Sequence, residues 1–113
     1  MNKTALITGA SRGIGRAMAE TFAAAGYDLV LTCLPHLEEL ERLGQELESA
    51  HSVGCRCFTA DAGDWEAITA LFSHIRRLDV LINNAGIAHM GLLQDMTSEQ
   101  WRRIMATHLD GCF

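Results

Sequence analysis

The chain has 113 residues, 49% of them hydrophobic and 20% charged, with a formal net charge of −5. That length admits one domain, the composition belongs to a globular chain, and the acidic balance argues against a nucleic-acid partner. Basic residues cluster only as Arg76-Arg77 and Arg102-Arg103, each read as a solvated helix face. No apolar run approaches the ~20 residues of a membrane span, and Met1-Asn2-Lys3 carries no signal-peptide pattern, so a cytoplasmic address with no membrane partner is expected.

In chain order, strands and helices alternate. Residues 4–8 form a short apolar strand, and Ile14, Met18 and Phe22 then recur every four residues as one face of a helix ending at Gly26. A second strand covers 28–32. Pro35 suits the first turn of a helix whose apolar stripe is Leu37, Leu40, Leu43 and Leu47. The third strand is 55–59, and Asp64 caps a helix burying Ile68, Leu71, Phe72 and Ile75. The fourth strand is 79–83. Thr97 and Gln100 fit a capping box for a last helix with the stripe Trp101, Ile104, Met105, Leu109 and Cys112, inside which the chain is expected to end.

Near-continuous apolar strands separated by amphipathic helices indicate an α/β fold, a parallel sheet covered by helices on both faces. Right-handed crossovers give the doubly wound order 3-2-1-4, the amino-terminal half of a Rossmann-like fold. Cys33, Cys55, Cys57 and Cys112 form no CxxC, and no two histidines pair at metal-ligand spacing. No metal is expected, and the cysteines read as small hydrophobes of a reduced core, with Cys55 and Cys57 on one strand face. Tyr27, the one tyrosine, reads as a packing residue.

The segment "TGASRGIG" joins the first strand to the first helix, at the sheet edge where helix amino termini receive phosphates. Gly9 can make the turn, Gly13 leaves room for a pyrophosphate, and Gly15 lets the helix pack closely on the sheet. "NNAG", Asn83 to Gly86, ends the fourth strand at the same edge.

Together, "TGASRGIG" and "NNAG" resemble the short-chain dehydrogenase/reductase family, and the resemblance covers the whole chain. Within it, "ALITGASRGIGRAMAE", "LDVLINNAG" and "QWRRIMATHLDGCF" are most similar to the 3-oxoacyl-acyl carrier protein reductases of fatty acid biosynthesis. The resemblance implies a nicotinamide-dependent oxidoreductase, a small-molecule or carrier-bound carbonyl substrate, and homo-oligomers. It implies a cofactor loop at Gly9, Ser11, Arg12, Gly13, Ile14 and Gly15, an adenine contact at Asp61 and Ala62, and a nicotinamide-ribose segment at Asn84, Ala85 and Gly86. A turn cap is the rival role for Asp61. The chain has no Ser and Tyr-x-x-x-Lys in the family's places, and His108 stands where the family has Asn. His108 is either a core histidine facing inward and satisfied by a carbonyl, or a relay residue.

Cofactor choice turns on the second strand, which ends at Cys33-Leu34 instead of the acid that binds a ribose 2′-hydroxyl in NAD sites. Arg12 offers a planar fork to a 2′-phosphate, so NADP is expected over NAD. Residues 1–113 are thus expected to be a partial NAD(P)-binding domain without turnover of its own. A non-catalytic dinucleotide module and a truncated remnant stay open as alternatives. Met90, Leu92 and Leu93 either line a substrate pocket or pack their loop.

Overall fold

In the computed structural model, which describes residues 2–113, the elements succeed one another as β1 (Thr4–Ile7), α1 (Gly13–Ala24), β2 (Asp28–Cys33), α2 (Leu37–His51), β3 (Cys55–Thr59), α3 (Trp65–Ser73), β4 (Val80–Ile82) and α4 (Ser98–Met105). The four strands pair in parallel in the order β3-β2-β1-β4, the order expected.

Alternation along the strands decides which helix covers which face. Ala5, Ile7, Leu29, Leu31 and Cys33 point to one side, where Ala19 and Ala23 of α1 and Leu40, Leu43 and Leu47 of α2 close over them. Leu6 and Val30 point to the other and pack with Ala60, which directly follows β3, and with Leu71 of α3, flanked by Phe58, Ile68 and Ile75. Helices therefore lie on both faces.

The stripes on individual helices differ from expectation. In α1 the buried positions are Gly15, Ala19 and Ala23, while Ile14 is 73% exposed. The helix approaches the sheet on its smallest side chains, and Met18 and Phe22 pack only along the margin. Pro35 precedes α2 by two residues and does not sit in its first turn. On α3, Leu71 is buried but Phe72 is exposed, because the cluster with Leu6, Val30 and Ala60 takes in Leu71 and not Phe72. Asp64 caps α3 through the N–H groups of Glu66 and Ala67, and Thr97 with Gln100 forms the full capping box on α4, both as expected.

The carboxyl-terminal helix departs furthest. It passes from α4 into one π turn at Ala106–Asp110, and Trp101, Leu109 and Cys112 are exposed while Thr107 is buried. Cys112 is therefore no core residue, whereas Cys33 is buried and Cys55 and Cys57 are half-buried on one face of β3. Tyr27 packs edge-on against Phe22, with ring centroids 4.9 Å apart. Met90, Leu92 and Leu93 do not pack their loop; they stand in solvent at 63–92% exposure.

Candidate functional site

Parallel strands bring the β1–α1 loop and the segment after β4 to one edge of the sheet. Their junction is a hydrogen-bond knot centred on Thr8. The Thr8 hydroxyl oxygen accepts the backbone N–H groups of Asn84 at 3.0 Å and Ala85 at 2.9 Å. The Asn84 side-chain amide donates to the carbonyl oxygens of Thr8 at 3.1 Å and Gly9 at 3.0 Å. Thr8 is buried, so these bonds are made where water does not compete. Asn84 is thereby the brace of the glycine loop.

Three glycines shape the loop, and Gly9 takes φ +64° at its turn, where a Cβ would lie 3.0 Å from the Ala85 Cα. Gly15 tolerates no side chain: a Cβ there would lie 2.2 Å from the Gly9 carbonyl oxygen and 2.5 Å from Asn84 Nδ2. Gly13 has φ +58° with open space where its Cβ would stand, so its requirement is conformational and its outer side is free for a ligand. Arg12 is the N-cap of α1 and its side chain makes no capping bond; the first turn holds no acid either. The amino end of α1 thus presents N–H groups and the positive end of the helix dipole, while α3 and α4 close theirs with Asp64 and Thr97. Ser11 is half-buried in the loop, and Ile14 projects outward beside it.

A cavity of about 340 Å³ opens next to the loop. Gly9, Asp61, Ala62, Ala85 and Gly86 line it, joined by Leu34 and Pro35 after β2 and by Arg103 and Thr107 from the last helix. Its dimensions suit a nucleoside. Asp61 accepts the N–H of Gly63 at 2.9 Å, an Asx turn that holds its carboxylate at the cavity wall, so the turn-cap role and the lining position coexist. Arg103, read from sequence as part of a solvated face, lines this cavity; its signal was the helical spacing of four to Thr107, itself buried.

Arg12 is not in the cavity wall. Its guanidinium meets Glu39 in the first turn of α2, Nε to Oε2 at 3.3 Å and Nη2 to Oε1 at 3.4 Å. The Arg12 bond, with its charge, holds the Glu39 carboxyl below its ordinary pKa. His108 is exposed and not inward, yet its ring is engaged: Nε2 lies 2.9 Å from the Ile87 N–H and 2.7 Å from the Ile87 carbonyl oxygen. It clasps the segment after Gly86, whose missing side chain makes room for the ring.

A larger cavity, about 690 Å³, lies between α3 and the last residues, walled by Trp65, Phe72 and Phe113, and shares only Ala62 with the first. Volume alone would favour it, but it holds no glycine loop or braced strand end. Among the described residues no three His, Cys, Asp or Glu side chains gather as metal ligands, and no helix is long and apolar enough to cross a membrane.

Residues 3–113 match the family model described as short chain dehydrogenase. The 3-oxoacyl-[acyl-carrier-protein] reductase FabG of Staphylococcus aureus is 38% identical over 116 residues, covering all of this chain and 47% of the relative. Oxidoreductase UcpA of Salmonella typhimurium is 40% identical over 86% of this chain and 37% of its own length. Among solved structures, a short-chain dehydrogenase from Sphingobium yanoikuyae in complex with NADPH superposes with a TM-score of 0.88 at 34% identity, over 96% of this chain and 43% of that one. An alcohol dehydrogenase from Thermococcus sibiricus complexed with 5-hydroxy-NADP gives 0.89 at 30% identity, over 98% and 48%. The chain spans about half the length of the relatives it matches, or less.

Proposed function

The chain belongs to the short-chain dehydrogenase family, and from that premise we propose that residues 1–113 are the cofactor-binding part of an NADP-dependent oxidoreductase interconverting a carbonyl and a secondary alcohol. The substrate we assign is a 3-oxoacyl thioester, in keeping with the FabG relatives. The observation that carries the reading is the uncapped amino end of α1, held open by Gly13 and braced through Asn84 beside a nucleoside-sized cavity.

In this reading Gly9, Ser11, Arg12, Gly13, Ile14 and Gly15 receive the phosphates through backbone N–H groups and the helix dipole. Asp61 and Ala62 border the adenine, and Asn84, Ala85 and Gly86 border the nicotinamide ribose. When bound, the dinucleotide supplies a hydride donor or acceptor; the residues here bind and orient it. His108 positions the Gly86-Ile87 segment. Two solved relatives carry NADPH or an NADP derivative in their complexes, which supports the same cofactor here.

Reduction of a carbonyl also needs a proton donor at the developing oxyanion. The one tyrosine, Tyr27, is packed on Phe22, and the one lysine, Lys3, precedes β1 at the opposite sheet edge. These placements favour a second reading, a binding module without catalysis, when the chain acts alone. The exposed Trp101 and Leu109 support assembly of copies through the last helix, and a cytoplasmic location fits the assigned chemistry.

NADPH fluorescence on titration tests binding. A chimera carrying the downstream half of the S. aureus reductase tests function, with oxidation of NADPH by acetoacetyl thioester as readout. Binding by the chain and turnover only by the chimera are expected; absence of NADPH binding in both overturns the reading.

A further inference from the structure

The Arg12–Glu39 pair joins the one charged side chain of the glycine loop to the first turn of α2. The geometry is a two-toothed fork, each of two guanidinium nitrogens meeting a different carboxylate oxygen. Two oxygens of a phosphate monoester present themselves to a guanidinium in the same way. Neither residue is sequestered: the side chains are 63% and 44% exposed, so the pair is weak and exchanges readily with solvent ions. Glu39 lies six residues past the end of β2, beyond Leu34 and Pro35 in the cavity wall. A carboxylate therefore occupies the donors of the one arginine that the loop offers to an incoming anion.

We propose that Glu39 is a specificity-determining residue: an internal anion that occupies Arg12 until a 2′-phosphate displaces it, and so lowers the preference for NADP over NAD. The proposal rests on the cofactor reading above. Displacement leaves the Glu39 carboxylate near a phosphate of like charge, so Glu39 opposes the phosphorylated cofactor twice, by competition and by repulsion. NADH, lacking the 2′-phosphate, has no cause to break the pair. The selectivity of this site is then set by the difference between Arg12–phosphate and Arg12–Glu39.

The test is fluorescence titration of NADPH and NADH against the full chain and three variants, Glu39→Gln, Arg12→Ala and Glu38→Gln, each checked for its circular dichroism spectrum. Glu38 shares the first turn of α2 and loses the same charge without touching Arg12. Glu39→Gln is expected to tighten NADPH by about tenfold with NADH unchanged within about twofold, Arg12→Ala to weaken NADPH by about tenfold, and Glu38→Gln to shift either by less than about threefold. If Arg12→Ala lowers the NADPH preference while Glu39→Gln leaves it unchanged, or Glu38→Gln raises it as much, the role of Glu39 is overturned and the cofactor reading stands. If parent and variants bind neither dinucleotide, the cofactor reading fails, and the role of Glu39 with it.

Discussion

The hydroxyl of Thr8 accepts the backbone N–H of Asn84 at 3.0 Å across 76 residues of sequence. Thr8→Val keeps the shape and removes the acceptor, leaving the N–H groups of Asn84 and Ala85 without it. The expected loss is about 2 kcal/mol, read as a fall in Tm of roughly 10 °C, with Thr8→Ser recovering most of it. An unchanged Tm for Thr8→Val would show that this knot holds nothing.

Gly15→Ala and Gly13→Ala separate packing from conformation. The first places a methyl group 2.2 Å from a backbone oxygen that cannot yield without moving the loop, so a loss of about 3 kcal/mol in chemical denaturation, together with loss of NADPH binding, is expected. The second meets no atom within 4 Å and costs only the left-handed strain of about 1–2 kcal/mol. Equal losses would contradict the distinction.

Two carboxylates at the far edge of the sheet make stability depend on acid. Asp28 is held below the ordinary carboxylate range by the Gly54 N–H and then by Asn2; Asp79 is held down by the Thr4 N–H and then by Arg77. A depressed folded pKa favours the ionised form in the native state. Its contribution is complete above the unfolded value of about 4 and is lost as pH falls through the folded one. Asp28→Asn should therefore lower Tm at pH 7, and its difference from the parent should shrink in melts taken below about pH 4. A difference that grows with acid would mean that the folded state favours the protonated carboxyl instead.

Thiol labelling should track exposure and the asymmetry of the β3 pair. Cys112 is exposed, and Cys33 is buried with its thiol pushed up by burial. Of the half-buried two, the neighbouring Cys57 and then burial push the Cys55 thiol up, whereas the Cys57 thiol, which donates to the Leu40 carbonyl oxygen at 3.4 Å, is held down by its neighbour Cys55. Mass spectrometry after timed alkylation should find Cys112 modified first, Cys57 next, and Cys55 and Cys33 last. Cys55 reacting ahead of Cys57 would refute the assignment.

The features legible in the sequence are those that local rules control. Strand order comes from apolar strands and crossover handedness, and the Asp64 and Thr97 caps come from side chains reaching N–H groups two or three residues away. Periodicity misleads where large residues sit at core spacing on a helix that docks elsewhere. Ile14 and Leu109 have the right spacing and still face solvent, because α1 docks on Gly15, Ala19 and Ala23, and the π turn at Ala106–Asp110 changes the direction of the side chains beyond Met105. The glycine loop is legible as a motif, but its partner Glu39 and the cavity position of Arg103 are not, since each depends on distances across separate elements.

The Thr8–Asn84 knot also orders events in time. The loop of residues 8–15 is synthesised before the groups that fix its shape, which arrive only with residues 82–85. Until then β1 has a partner in β2 alone and the loop lacks its brace. Loop closure over such a span is slow compared with helix formation. The glycine loop of this chain is therefore a late product of folding, and a ligand that it takes would stabilise the assembled sheet without serving as a template for its first strands.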